Sequence, residues 1–261
     1  MDLSDKYRPL EGLALDCIVD EQLPGGNMNS VRRVGDTVVR VAGPWTPTVH
    51  RYLSRLADAG VDWVPRPLDF DSDNEILTFV DGDVPEYPLP KWVWTDAALA
   101  DAGRRLRELH DASIGFGEPD DRWQSPTHEP VEVICHNDFA PHNLAFRAGR
   151  IVGAIDFDMS SPGPRVWDLA YLVTRMVPLT TEELPGASGE DDWSRRIQLL
   201  LTVYGSESSE DDVVRVAIVR LRDLAEFSRR KAAQLDKPEL RDHAVLYDRD
   251  AAYLEHWIRR Q

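Results

Sequence analysis

The stretch Cys135–Asp158, CHNDFAPHNLAFRAGRIVGAIDFD, decides how the chain is read. It holds His136, Asp138, Asn143, Asp156 and Asp158, separated by apolar runs. Val131–His136 (VEVICH) reads as a buried strand. The polar run Asn137–His142 contains Pro141, which removes a ladder donor, so a loop is predicted there. Leu144–Arg147 and Ile151–Ile155 flank Ala148-Gly149-Arg150, a hairpin signal. A hairpin closed at that point pairs positions summing to about 298. Asn143 then lands beside Ile155 and Asp156 at its open end. A neutral oxygen donor and a carboxylate meet there, with Asp138 in the loop above them. Such a set suits a hard cation, with one carboxylate left over.

His136-Asn137-Asp138 followed by Asn143 resembles the kinase spacing H-x-D-x-x-x-x-N, and Asp156-Phe157-Asp158 stands where D-F-G would be. Downstream, Pro162–Leu172 (PGPRVWDLAYL) narrows the resemblance to the aminoglycoside phosphotransferase and choline-kinase-like branch. The resemblance is strong over 135–172 and weaker toward the N-terminus. It implies an α+β, two-lobed protein-kinase-like fold with a β-rich N-lobe and a mostly helical C-lobe. The expected division is a nucleotide-binding lobe over 1–82, a linker over 83–94 and a helical lobe over 95–261 carrying the catalytic loop and substrate site.

Composition agrees with an enzyme of this kind. The chain has 261 residues, 42% hydrophobic and 29% charged, enough for two lobes with their own cores. The net charge of −16 disfavours a nucleic-acid partner, because a phosphate backbone would be repelled. It suits a cationic acceptor instead. Cys17 and Cys135 lie in apolar runs and read as buried free thiols. Met1–Leu10 is charged and polar, unlike a secretory leader, and no apolar run reaches membrane-spanning length. A cytoplasmic protein without a membrane partner is expected.

In chain order, Leu13–Val19 reads as a strand and Pro24–Ser30 as a glycine-containing loop. Ser30–Val34 and Thr37–Val41 form a hairpin about Gly35-Asp36. A strand–loop–strand unit lets backbone N–H groups approach phosphates, so Gly25, Gly26, Asn27 and Ser30 are candidate nucleotide contacts. The family usually has a lysine on the following strand to grip the phosphates. This chain has Arg40. The next helix, about Thr48–Ala59, should carry a glutamate to pair with that cation, yet no acid occurs between Thr46 and Leu56. His50 and Arg51 occupy the region, so another carboxylate must hold Arg40 or nucleotide binding is altered. Val64–Phe70 and Glu75–Val80 read as strands, the second ending at an inter-lobe hinge where Thr78 and Val80 are expected beside the adenine. Helices follow at about Thr95–Ser113, Arg165–Met176, Asp191–Tyr204, Asp211–Gln234 and Pro238–Arg259.

The resemblance implies a chemistry. Mg²⁺-dependent transfer of a γ-phosphoryl group from ATP or GTP to a small-molecule hydroxyl needs positioned oxygens and a carboxylate at the acceptor. Asp138 would orient and deprotonate the acceptor, and Asn143 and Asp156 would hold Mg²⁺. His136, His110 and Asp168 read as structural braces, and His142 as solvent-facing. Asp158 and the acids Glu182, Glu183, Asp191 and Asp192 are candidates for receiving an ammonium-bearing acceptor such as an aminoglycoside or amino alcohol. The missing helix acid keeps a nucleotide-binding pseudokinase open, and a housekeeping sugar or amino-acid kinase is the other alternative.

Overall fold

The computed structural model describes residues 20–23 and 31–260. A five-stranded antiparallel sheet, ordered β1-β2-β3-β5-β4, comes first. Its strands are β1 (Asp20–Gln22), β2 (Val31–Val34), β3 (Thr37–Val41), β4 (Pro67–Phe70) and β5 (Asn74–Thr78). Val34 pairs with Thr37, so Gly35-Asp36 forms the expected two-residue turn, with Gly35 at φ 60°. The helix α1 (Thr46–Asp58) follows β3 and starts with Pro47 in its first turn, where a missing N–H costs nothing. Val49, Tyr52, Leu53 and Leu56 recur at helical spacing and are fully buried. The expected strand over Leu13–Val19 and the glycine loop lie outside the described residues.

A proline-rich connection with a short 3₁₀ turn at Lys91–Trp94 leads into α2 (Asp96–Ser113). Thr95 caps this helix by accepting a bond from the Ala98 amide, as its position predicts. Ala98, Leu99, Ala102, Leu106 and Leu109 are fully buried along one face. Each buried leucine there contributes about 1.5–3 kcal/mol through apolar burial. Gly103 lets α4 (Trp193–Tyr204) approach closely: a Cβ at that position would stand 2.8 Å from side-chain atoms of both Leu200 and Val203.

The segment from Val133 to Gly163 is built from two small antiparallel pairs. β6 (Val133–Cys135) pairs with β9 (Ser161–Gly163), and β7 (Leu144–Arg147) pairs with β8 (Arg150–Ala154). Leu144 faces Ala154 and Ala145 faces Gly153, the register read from the sequence, before a bulge shifts the pairing by one toward the turn. The remaining helices are α3 (Arg165–Met176), α5 (Glu210–Leu235) and α6 (Glu239–Ile258). Ser209 and Asp212 close a reciprocal capping box at the start of α5. One apolar cluster runs from α1 through α2 and the β7–β8 hairpin to α6. The molecule thus has a sheet-bearing part and a helical part, with the hairpin between them.

Candidate active site

The loop after β6 is held by Asp168 of α3. Its fully buried carboxylate accepts the amide N–H groups of His136 at 2.6 Å and Asn137 at 2.9 Å. His110 lies 3.1 Å away through Nε2 and bonds Tyr204 through Nδ1. Burial works against the charge on Asp168, but His110 and Arg220 outweigh it and hold the carboxyl below its usual range. Asp168 and His110 are therefore braces, as their positions suggest. His110, Cys135 and Asp168 cluster closely, but burial pushes the Cys135 thiol well up, and it donates to the Pro164 carbonyl. That cluster is a packed network rather than a set of metal ligands.

The braced loop presents Asp138. Asn137 adopts φ 66°, a left-handed conformation that turns the chain sharply before it. The two oxygens of Asp138 face different neighbours. Oδ1 accepts the Tyr171 hydroxyl at 2.5 Å and lies 3.4 Å from Nε2 of His142. Oδ2 accepts the Asn143 amide at 2.8 Å. Burial opposes ionisation, yet bonds from His142 and Tyr171 take the Asp138 carboxyl down to about 2. His142 thus turns toward Asp138 instead of facing open solvent, a correction to the sequence expectation. The 3₁₀ turn at Pro141–Asn143 carries it inward.

Asn143 lies at the open end of the hairpin, where its carbonyl accepts the Ile155 amide at 2.9 Å. Its side-chain nitrogen is engaged by Asp138, which leaves the amide oxygen as a hard donor beside the start of the Asp156 segment. Asp156 adopts φ 64° and ψ 65°, and its side chain is 45% exposed. Asn143 and Asp156 are thus brought together as the hairpin register predicts.

Arg40 is the node that joins the sheet to this hairpin. Its Nη1 donates to Asp156 at 2.9 Å, its Nη2 to Asp158 at 2.5 Å, and its Nε lies 2.6 Å from Glu75. The Nε contact is an ion pair off hydrogen-bonding angle. Glu75 stands directly across from Arg40 in the β3–β5 register and also meets His50 of α1 at 2.9 Å. The acid expected on the helix has therefore moved to the neighbouring strand, and a histidine has taken its helical place. Burial pushes Asp158 up to about 7; Arg40 pulls it down, and the Asp156 and Glu75 carboxylates push it up. Three carboxylates surround one guanidinium, a surplus of negative charge that fits a hard divalent cation with its nucleotide.

The predicted hinge residues and the predicted acids stand apart from the cluster around Asp138, Asn143 and Asp156. Thr78 gives its amide to the Arg66 carbonyl and its hydroxyl accepts the Arg66 amide, so its side chain is tied within the sheet rather than facing a base. Val80 lies past the ladder and packs so tightly on the hairpin that a Cβ on Gly153 would come within 2.1 Å of it. Backbone near Val80, between the Phe79–Asp36 and Asp83–Phe146 bonds, is the segment that leaves the sheet. Gly25, Gly26, Asn27 and Ser30 lie outside the described residues. Glu182 pairs with Arg249 and Asp192 with Arg195, while Glu183 and Asp191 are exposed. None of these four acids contacts Asp138, Asn143 or Tyr171 among the described residues, so they do not assemble into an acceptor site. Asp158 is buried beneath Arg40 and not at the acceptor.

Residues 85–197 match the phosphotransferase enzyme family, APH. The trifolitoxin immunity protein of Rhizobium leguminosarum bv. trifolii is 31% identical over 194 residues, covering 70% of this chain and 73% of that protein. The chain belongs to the phosphotransferase enzyme family. It is accordingly an enzyme of the small-molecule kinase class. Solved structures share its fold. A choline/ethanolamine kinase family protein from Mesorhizobium loti gives a TM-score of 0.62 at 19% identity, covering 90% of this chain and 87% of that one. Plasmodium vivax ethanolamine kinase gives 0.65 at 14% identity, covering 90% and 81%. The streptomycin–ATP–APH(2")-IIa ternary complex gives 0.53 at 14% identity, covering 88% and 93%. A nucleotide co-substrate and a small-molecule acceptor follow for this phosphotransferase.

The sequence does not single out Tyr171 or Glu75, and it marks His50 only as standing where an acid is expected. Tyr171 falls in the run that carries the family resemblance, and its spacing of three from Asp168 puts both near one helix face. Glu75 carries no local signal, because only strand register sets it against Arg40.

Proposed function

We propose that the chain transfers the γ-phosphoryl group of ATP or GTP to a hydroxyl of a small molecule in a Mg²⁺-dependent reaction. One observation carries the reading: Asp138 is held between Tyr171 and Asn143, next to the hairpin end where Asn143 meets the Asp156 segment. The acceptor hydroxyl donates to Asp138, which aims its oxygen at the γ-phosphorus. As the new O–P bond forms and the bond to the β-phosphate oxygen breaks, the hydroxyl proton passes to the Asp138 carboxylate and the nucleoside diphosphate departs. A carboxyl down at about 2 is a weak base, so its main work is orientation, with the proton moving late. Asn143 and Asp156 would hold Mg²⁺, which supplies charge neutralisation on the phosphates when bound. Arg40 would exchange part of its carboxylate contact for phosphate oxygens, to which its planar fork is suited. The Gly25–Ser30 backbone and the segment at Val80 would complete the nucleotide site. The hinge at 83–94 would separate the nucleotide lobe over 1–82 from the acceptor lobe over 95–261.

A cytoplasmic reaction is part of this reading, and the charge of −16 argues against a nucleic-acid acceptor. Among the described residues no helix is long and apolar enough to cross a membrane. The aminoglycoside or amino-alcohol acceptor expected from the resemblance rests on kinship alone, which does not fix a substrate. The relative named for trifolitoxin immunity supports a protective role toward a toxin, against a housekeeping sugar or amino-acid kinase. Expressing the chain in a sensitive host and measuring tolerance separates these. A nucleotide-binding pseudokinase is favoured only by the engagement of Arg40 with Asp156 and Asp158. Single-turnover assays with ATP and GTP over amino-sugar, amino-alcohol, sugar and hydroxy-acid acceptors decide: phosphorylated product supports the kinase, and nucleotide binding without any product supports the pseudokinase.

A further inference from the structure

The acceptor side of Asp138 carries a charge opposite to the one composition suggests. Arg175 sits one helical turn beyond Tyr171 on α3, on the same face. Its guanidinium lies 5.0 Å from the Tyr171 ring centroid and 5.6 Å from that of Tyr247 on α6. Nη2 donates to the Tyr247 hydroxyl at 3.2 Å, and Nε is buried without a hydrogen-bond partner. Among the described residues no carboxylate lies within 4.0 Å of this guanidinium. Its main electrostatic neighbours are Tyr171, Tyr247 and Tyr87. Asp250 lies on α6 too, but it accepts the amide and hydroxyl of Thr181 instead.

An arginine without an acid is unusual in a chain with 46 acidic and 30 basic residues. Buried cations are ordinarily paired, because the desolvation cost is otherwise uncompensated. The tyrosine faces supply only part of that compensation. A planar guanidinium with open N–H groups matches a carboxylate or a phosphate in a bidentate fork. Nucleotide phosphates are not the natural occupant. Arg175 shares none of the partners of Arg40. Oδ1 faces Tyr171 and, behind it, Arg175, whereas Oδ2 faces Asn143 and the metal end. Tyr87 from the linker, whose ring centroid is 6.0 Å from that of His142, extends the same wall.

We infer that the acceptor bears an anionic group, a carboxylate or a phosphate, which Arg175 reads while Tyr87, Tyr171 and Tyr247 flank the body of the molecule. This rests on Asp138 being the acceptor-side carboxylate. It replaces the cationic acceptor expected from net charge, since an ammonium group set beside Arg175 would be repelled. Arg175 is a specificity residue here, and Tyr171 links it to the reacting centre.

The test uses the whole chain with Mg²⁺ and ATP and matched acceptors: 4-hydroxybutyrate and glycerate for the carboxylate, glycerophosphate for the phosphate, glycerol as neutral, ethanolamine and glucosamine as cations. The wild type is expected to phosphorylate anionic acceptors in preference to neutral ones and to reject amines. R175M should raise KM for the anionic acceptor about 10- to 100-fold, the range for losing a charge-assisted contact, with nucleotide affinity unchanged. R175K should recover part of that loss, and R175E should invert the preference, an effect that a purely structural role would not produce. Preferred turnover of amines, or an unchanged KM in R175M, overturns the inference. Should nucleotide bind without turnover of any acceptor, calorimetric titration of the nucleotide-bound protein with the same panel decides. Binding of an anionic member that R175E abolishes supports the inference, and binding of amines alone, or of none, overturns it. Absence of nucleotide binding itself would instead count against the kinase reading.

Discussion

Replacing Glu75 with Gln tests the most individual feature of this chain. Glu75 is fully buried and is held between Arg40, 2.6 Å away, and His50, 2.9 Å away. Removing one partner of a buried ion pair typically costs about 3–5 kcal/mol, because a charge is left uncompensated. Arg40 retains Asp156 and Asp158, so roughly half of that loss is expected, about 2 kcal/mol. For a chain of this size each kcal/mol moves Tm by ~2–4 °C, which makes the drop about 4–8 °C. Differential scanning fluorimetry of E75Q without nucleotide reads it. The nucleotide KM should rise in the same variant, because Arg40 is drawn further onto the Asp156–Asp158 pair. The double variant H50E/E75Q returns an acid to the helix and should recover most of both losses. A Tm within about 1 °C of wild type together with an unchanged nucleotide KM would refute the reasoning, since Glu75 would then not be what holds Arg40.

Replacing Asp168 with Asn leaves at least one of the buried His136 and Asn137 amides poorly satisfied. At about 1–3 kcal/mol per unsatisfied group, urea titration should show a loss of about 1–3 kcal/mol if one amide is stranded and about 2–6 kcal/mol if both are, and kcat should fall more than nucleotide affinity. Asp158 gives a pH dependence. Its folded-state value of about 7 lies above the unfolded value of about 3.9, so the fold binds an extra proton between them. Stability of the free enzyme should therefore fall as pH rises from about 4 to about 7 and level off above it, and D158N should flatten that part of the curve in thermal melts across pH.

Much of this site was legible because its chemistry is local in the chain. The hairpin around Gly149 fixes which residues face each other, so Asn143 and Asp156 could be joined on paper, and the structure differs only by a bulge near the turn. Asp168 was readable as a brace from its place near the start of a helix. What was not legible depends on tertiary register. Whether an acid on β5 meets an arginine on β3 is decided by the antiparallel alignment Arg40↔Glu75, and no pattern in either strand announces it. The direction of His142 is set by the 3₁₀ turn, since its neighbours in sequence are compatible with either face. The acidic stretch 182–212 suggests a cation receiver only while its charge is taken without its partners. In the fold, Arg195 pairs with Asp192 and Arg249 with Glu182, while Glu183 and Asp191 are exposed on the surface. Arg175 is the converse case. Its tyrosine neighbours come from the linker, α3 and α6, and the lack of a carboxylate partner is visible only in three dimensions.

The central claim is that Asp138 serves the acceptor and not the nucleotide. Rapid-quench single-turnover transfer by D138N, with nucleotide affinity measured on the same protein, tests it most directly. The account predicts a fall in transfer rate of about 10²–10⁴-fold, the usual contribution of a positioned acid–base group, with nucleotide affinity kept within about twofold. Transfer at the wild-type rate, or a loss confined to nucleotide binding, would contradict it.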